Sequence, residues 1–182
     1  MKKIQYITLL LCLIVGFSCA VDESCRTNRS VLMQFGLHHV NLTDTSRTVA
    51  AMTIDSLTVR GLVVDTLTGK YLNQNLDSVY KNLKSISIIN VPLHKFEHMS
   101  VYEITFNDKI ITGNKDTLKF INKKDTLTIL HENIDKYLSL ECGSIKIHSI
   151  DTAYTTHHFI DSIRIINHKV NNINLENIQI YK

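Results

Sequence analysis

The chain has no tryptophan, one proline, six glycines and four cysteines in 182 residues. Without tryptophan it lacks the side chain best suited to stacking on a sugar ring, although seven tyrosines and six phenylalanines can take that part. The single proline, Pro92, lacks a backbone donor and is expected to end the strand Ser85 to Asn90. Apolar runs are short. The longest, Ile4 to Phe17, spans about 14 residues where about 20 are needed to cross a bilayer. A formal net charge of only +3 gives no reason to expect nucleic acid as a partner.

What is present at the start is an export pattern. Lys2 and Lys3 precede the apolar run, which closes on Gly16-Phe17-Ser18-Cys19 before Asp22-Glu23. The segment resembles a bacterial lipoprotein box, which implies removal of residues 1–18 and acylation of Cys19; ordinary signal-peptidase cleavage and an uncleaved anchor are the alternatives. Acyl chains would hold the protein to a lipid bilayer at about 0.8 kcal/mol per buried methylene. The expected division is therefore a signal peptide at 1–18, a lipid-anchored tether at 19–29 and one domain at 30–182. Removing 18 of 182 residues leaves 164, enough for one core.

Processing would also discard Cys12 and occupy Cys19. The remaining pair, Cys25 and Cys142, is expected to form a disulfide in an oxidising compartment, with a buried reduced pair as the alternative.

Period-two alternation recurs along the domain and predicts an all-β, antiparallel β-sandwich of about eight strands. Strands are expected at Val31 to Val40, Ile54 to Leu62, Ser85 to Asn90, Val101 to Phe106, Asp116 to Ile121, Asp125 to His131, Phe159 to Ile166 and Asn177 to Tyr181. Tyr137 to Ile150 reads as a glycine-interrupted central strand with a bulge or an early end near Ser149, because Ile145 and Ile147 share one face and Ile150 takes the other. Asn41 to Met52 reads as a loop, and Val63 to Asn82 as a loop with at most a short helix. Turns are expected at Asn107-Asp108-Lys109 or Thr112 to Lys115, at Asn122-Lys123-Lys124 and at Asn133 to Lys136.

Several short motifs resemble a family of uncharacterised single-domain lipoproteins of Bacteroides and related bacteria. They are the lipobox, Cys25 before the first strand, Pro92-Leu93, Asp-Thr-Leu before a strand, Ser139-Leu-Glu-Cys-Gly143, Asp161-Ser-Ile-Arg-Ile-Ile-Asn167 and the terminal Asn-Ile-Gln-Ile-Tyr181. The resemblance covers about Cys25 to Tyr181 and brings no catalytic residues with it. Asp followed by Ser or Thr and a small or aliphatic residue resembles the O-glycosylation signal of those bacteria. It marks Ser56, Thr66, Ser78, Thr117, Thr126, Thr152 and Ser162, although Asp and Thr are also ordinary turn and strand-entry residues.

Histidine pairs at 38–39 and 157–158 point to opposite faces if extended, and His94 and His98 do not form a His-Glu-x-x-His pattern, so no metal site is expected. There is no Gly-x-Ser-x-Gly elbow and no phosphate-cradling glycine loop. The expectation is an envelope lipoprotein, not an enzyme and without cofactor, on the outer membrane. Its role is structural or protein-interacting, its partners the bilayer and another envelope protein. The alternative is a small-ligand or glycan-binding module, which requires exposed rings from Tyr71, Tyr80, Phe96, Tyr137 and Tyr154 on one surface.

Overall fold

A computed structural model describes residues 29–182 except 44–45, 55, 66–67, 69–70, 73–77, 112–117 and 141. In chain order the strands are β1 (Met33–Thr43), β2 (Ser46–Ala51), β3 (Leu57–Val64), β4 (Tyr71–Leu72), β5 (Ser78–Leu83) and β6 (Ile88–Val91). They continue as β7 (Met99–Ile111), β8 (Leu118–Ser139), β9 (Gly143–Thr155), β10 (Ser162–Ile165), β11 (Lys169–Val170) and β12 (Glu176–Tyr181). Two sheets pack into a β-sandwich. One is ordered β10-β12-β1-β2 with β6 also on β1, the other β11-β9-β8-β7-β3-β4 with β5 also on β3.

Alternation explains the core. Met33, Phe35 and Leu37 of β1 and Ile178 and Ile180 of β12 are buried from one sheet. Leu57 and Val59 of β3, Ile104 and Phe106 of β7, and Leu127 and Ile129 of β8 meet them from the other. Burying one such aliphatic or aromatic side chain contributes about 1.5–3 kcal/mol. Pairing is antiparallel except between β1 and β12, which run parallel from Gln34 opposite Glu176 to His38 opposite Tyr181. The parallel pair needs a long crossover, and the whole second sheet lies between the two strands in sequence.

The strands are longer than the alternation predicts. Asn41 to Met52 is not a loop, because β1 continues to Thr43 and pairs with β2. Its Thr-, Ser- and Asp-rich sequence carries no apolar alternation, so only backbone pairing defines it. Among the described residues of 63–82 there is no helix; β3 runs to Val64, and β4 and β5 both pair with it. Asn107-Asp108-Lys109 and Asn122-Lys123-Lys124 are not turns either but face each other inside the β7–β8 ladder, where Lys124 Nζ lies 3.3 Å from Glu103 Oε1. The alternative turn at Thr112 to Lys115 lies outside the described residues.

Asn133 to Lys136 also belongs to β8, a 22-residue strand. Tyr137 to Ile150 is correspondingly not one strand: the chain reverses at Leu140 and Cys142, and β9 begins at Gly143. Gly143 has φ +67°, which glycine adopts without the penalty a Cβ would incur. From Ile145 to Ile150 the register is unbroken, so Ile150 lies on the face opposite Ile145 and Ile147 by ordinary alternation, and the bulge comes after it. Ile150 pairs with His131 and Thr152 with Leu130, so Asp151 is the extra residue of a bulge two positions beyond Ser149. Of Phe159 to Ile166 only Ser162–Ile165 is strand, at the sheet edge, with Arg164 exposed.

Candidate functional site

Pro92 ends β6 and, lacking a donor, sends the chain into the 92–98 connection toward β7. Backbone amides of Phe96 and Glu97 donate to His94 Nδ1 at 3.3 and 3.0 Å, which assigns that ring nitrogen as an acceptor. The His94 amide donates to Ser100 Oγ at 2.8 Å, and Tyr102 donates its hydroxyl to the Pro92 carbonyl. Burial raises the Tyr102 pKa, so the phenol stays a donor.

Beneath this connection lies a buried polar cluster. Ser100 Oγ is 2.8 Å from His131 Nε2, and the His131 and His148 rings meet edge to face with centroids 5.1 Å apart. His148 Nδ1 is 2.7 Å from Asn133 Oδ1, and the Asn133 amide donates to the Glu97 carbonyl at 2.8 Å. Burial holds the pKa of both imidazoles down; that of His148 falls to about 4, with the neighbouring His131 and Lys146 adding to the effect. Both rings are therefore neutral at pH 7. A serine at 2.8 Å from an imidazole has the spacing of a nucleophile and its base. Here, however, Ser100 and His131 are 5% and 1% exposed, and His131 Nδ1 has no orienting partner among the described residues. The cluster is a polar end of the core that fixes the connection above it.

That connection walls an apolar groove. Leu62, Val63, Met99, Val101, His94 and Phe96 line a volume of about 390 Å³, and the adjoining space of about 530 Å³ shares all of these but Phe96 and adds Leu72, Leu130 and Glu97. Phe96 is 82% exposed at this groove.

The residues singled out in the sequence do not converge. Cys19, Cys25, Thr66 and Thr117 lie outside the described residues. Cys142 sits in the β8–β9 turn, where its amide donates to Ser139 Oγ and its carbonyl accepts from Arg29 Nη2 at 2.7 Å. Ser56, Ser78 and Thr126 are half-buried, whereas Thr152 on β9 and Ser162 on β10 are exposed. Of the five rings, only Phe96 is among the groove residues. Tyr80 is half-buried, donating to the Asn90 carbonyl, while Tyr137 and Tyr154 are exposed elsewhere on β8 and β9. The Tyr71 backbone is in β4, its side chain outside the described residues. His38 pairs with Glu176 at 2.6 Å, and no group of three or more metal-ligating side chains occurs among the described residues.

Sequence reading missed the His131–His148 cluster and the carboxylate of Asp125. The signal for His131 was present: it extends the alternation Leu127, Ile129 onto the core face. No curated protein and no solved structure matches the chain. The family model that does match, over residues 56–182, is that of a family of unknown function, DUF6452, and the chain belongs to this family.

Proposed function

We propose that the protein is an exported lipoprotein, acylated at Cys19 and held to the outer membrane, that serves as a protein-interaction component of the cell envelope rather than as an enzyme. The export pattern of residues 1–19 supports the anchoring. The observation that carries the interaction role is Phe96, which is 82% exposed beside an apolar groove. An exposed ring next to a depression is the form of a protein-binding anchor. A sugar platform would set several rings on one surface, and here Tyr137, Tyr154 and Phe96 are apart. Capture of the native lipoprotein from its own membrane, beside Phe96→Ala, tests this reading. A partner retained by the native protein and lost from the variant supports it; reproducible glycan binding on an array with no protein partner sinks it.

The second reading, a small-ligand module, is favoured by the size of the groove, since about 390 and 530 Å³ fall in the range of small-molecule sites.

In the same reading Cys25 pairs with Cys142. Support comes from Arg29, four residues after Cys25, whose guanidinium reaches the Cys142 carbonyl. Peptide mapping without reductant should yield one cross-linked peptide holding both cysteines. Among the described O-glycosylation candidates Thr152 and Ser162 have exposed side chains, and glycopeptide analysis should find any sugar there before it finds it on Ser56, Ser78 or Thr126.

A further inference from the structure

Beyond His131 the β7–β8 ladder ends, β11 pairs with β9 at His148 and Ser149, and past these positions β8 continues to Ser139 paired with β9 alone, a two-stranded ribbon in which Ile145 and Ile147 are buried. Its end is apolar on the outside. Leu140, in the turn, is 96% exposed, Tyr137 is 62% exposed and Ile134 is 43% exposed. A tyrosine beside an aliphatic residue at a protruding turn is the composition of a membrane-interface contact, where the ring's apolar body and polar tip find matching surroundings. Exposed Lys136, with Arg29 at Cys142, adds positive charge at the same end, against Asp135, which pairs with Lys146. Glu141 lies outside the described residues.

Chain length makes the occupant specific. Arg29 is fixed on Cys142 of this turn, and ten residues separate it from Cys19. The ten Cα-to-Cα steps from Arg29 back to Cys19 span at most about 35 Å, and the six steps from Cys25 to Cys19 at most about 20 Å. We propose that the β8–β9 turn, with Tyr137 and Leu140, rests in the headgroup region of the bilayer that holds the acylated Cys19. The sandwich then stands on the membrane through two contacts, one covalent lipid and one apolar turn. This inference rests on the anchoring reading above.

The test uses the absence of tryptophan from the chain. Full-length acylated protein carrying Leu140→Trp, Tyr137→Trp or His158→Trp is reconstituted in phosphatidylcholine vesicles with or without brominated acyl chains. His158 serves as the remote position, because its side chain is 71% exposed and its loop is held by Asp125, twelve residues along β8 from Tyr137 or about 40 Å. The expected result is a blue-shifted emission and a several-fold loss of intensity in brominated vesicles for Leu140→Trp and Tyr137→Trp, with neither change for His158→Trp. Protein that floats with vesicles while Leu140→Trp and Tyr137→Trp stay unquenched overturns the inference and leaves the anchor standing. Emission that is blue-shifted but insensitive to bromine overturns it too, because protein rather than lipid then covers the turn. Protein that does not float removes the anchor and the inference together.

Discussion

Asp125 Oδ2 accepts the backbone amide hydrogen of Phe159 at 2.7 Å, joining the middle of β8 to the connection between β9 and β10. The same carboxylate receives the amides of Ile160 at 2.8 Å and His158 at 2.7 Å, and the Thr156 hydroxyl at 2.7 Å. Phe159 is thereby set against Phe106, centroids 4.5 Å apart, with Lys182 over its outer face. Burial by itself would raise the carboxyl pKa; the four donors outweigh it and hold the group below the ordinary carboxylate range.

Asp125→Asn should therefore be costly although it is nearly isosteric. One amide oxygen replaces two charged acceptors, and the new NH₂ faces backbone donors. A loss of about 2–3 kcal/mol is expected in urea unfolding. A change below about 0.5 kcal/mol would show that the loop holds without the carboxylate.

The same residue sets an acid limit. Its folded pKa lies below the unfolded value of about 3.9, so its contribution is complete above that pH and disappears as pH falls through the folded pKa. Native protein should lose stability in that window below about pH 4 more steeply than Asp125→Asn does. Parallel urea midpoints across the range would expose the opposite outcome.

His148 acts at higher pH with the same sign. Its pKa falls from 6.5 to about 4 on folding, because burial, then His131 and Lys146, disfavour the imidazolium. Between those two values the unfolded chain binds a proton that the folded chain refuses, so stability present above pH 6.5 declines toward pH 4. NMR titration should place the His148 midpoint near 4. A midpoint near 6.5 would mean that the polar cluster is open to water.

Gly36 tests the outer face of the first sheet. A Cβ there would overlap Glu176 Oε1 and lie 2.8 Å from His38 Nε2, so Gly36→Ala must displace the carboxylate and break the pair. The expected cost is about 1 kcal/mol. In a Glu176→Ala background it should largely vanish, since the obstructing carboxylate is gone; an undiminished cost would assign the effect to backbone instead.

Phe96→Ala should leave unfolding free energy within about 0.5 kcal/mol, because an 82% exposed ring contributes little to the core. Loss of partner capture without loss of stability is the result that separates an interaction residue from a packing residue. Calorimetry beside the capture experiment reads both.

The β-sandwich and most of its core were legible in the sequence, because period-two burial is a local property. Met33, Phe35 and Leu37, or Tyr102, Ile104 and Phe106, name their own face by alternation alone. A bulge was expected near Ser149 from the face change between Ile147 and Ile150, but it follows Ile150, at Asp151, and does not cause that change. Strand ends were not legible. Lys123, Lys124 and Asn133 to Lys136 look like turns by composition, yet a partner strand satisfies their backbone while Lys123, Lys124, Asp135 and Lys136 expose their charged side chains and Asn133 bonds His148. Asp125 was read only as part of a surface motif, and tertiary structure made it a buried anchor by bringing three amides from 33 to 35 residues away. The groove at Phe96 and the ribbon ending in Leu140 were decided in the same way, since both depend on which strands stop being paired, and pairing is a property of two segments that neither one encodes alone.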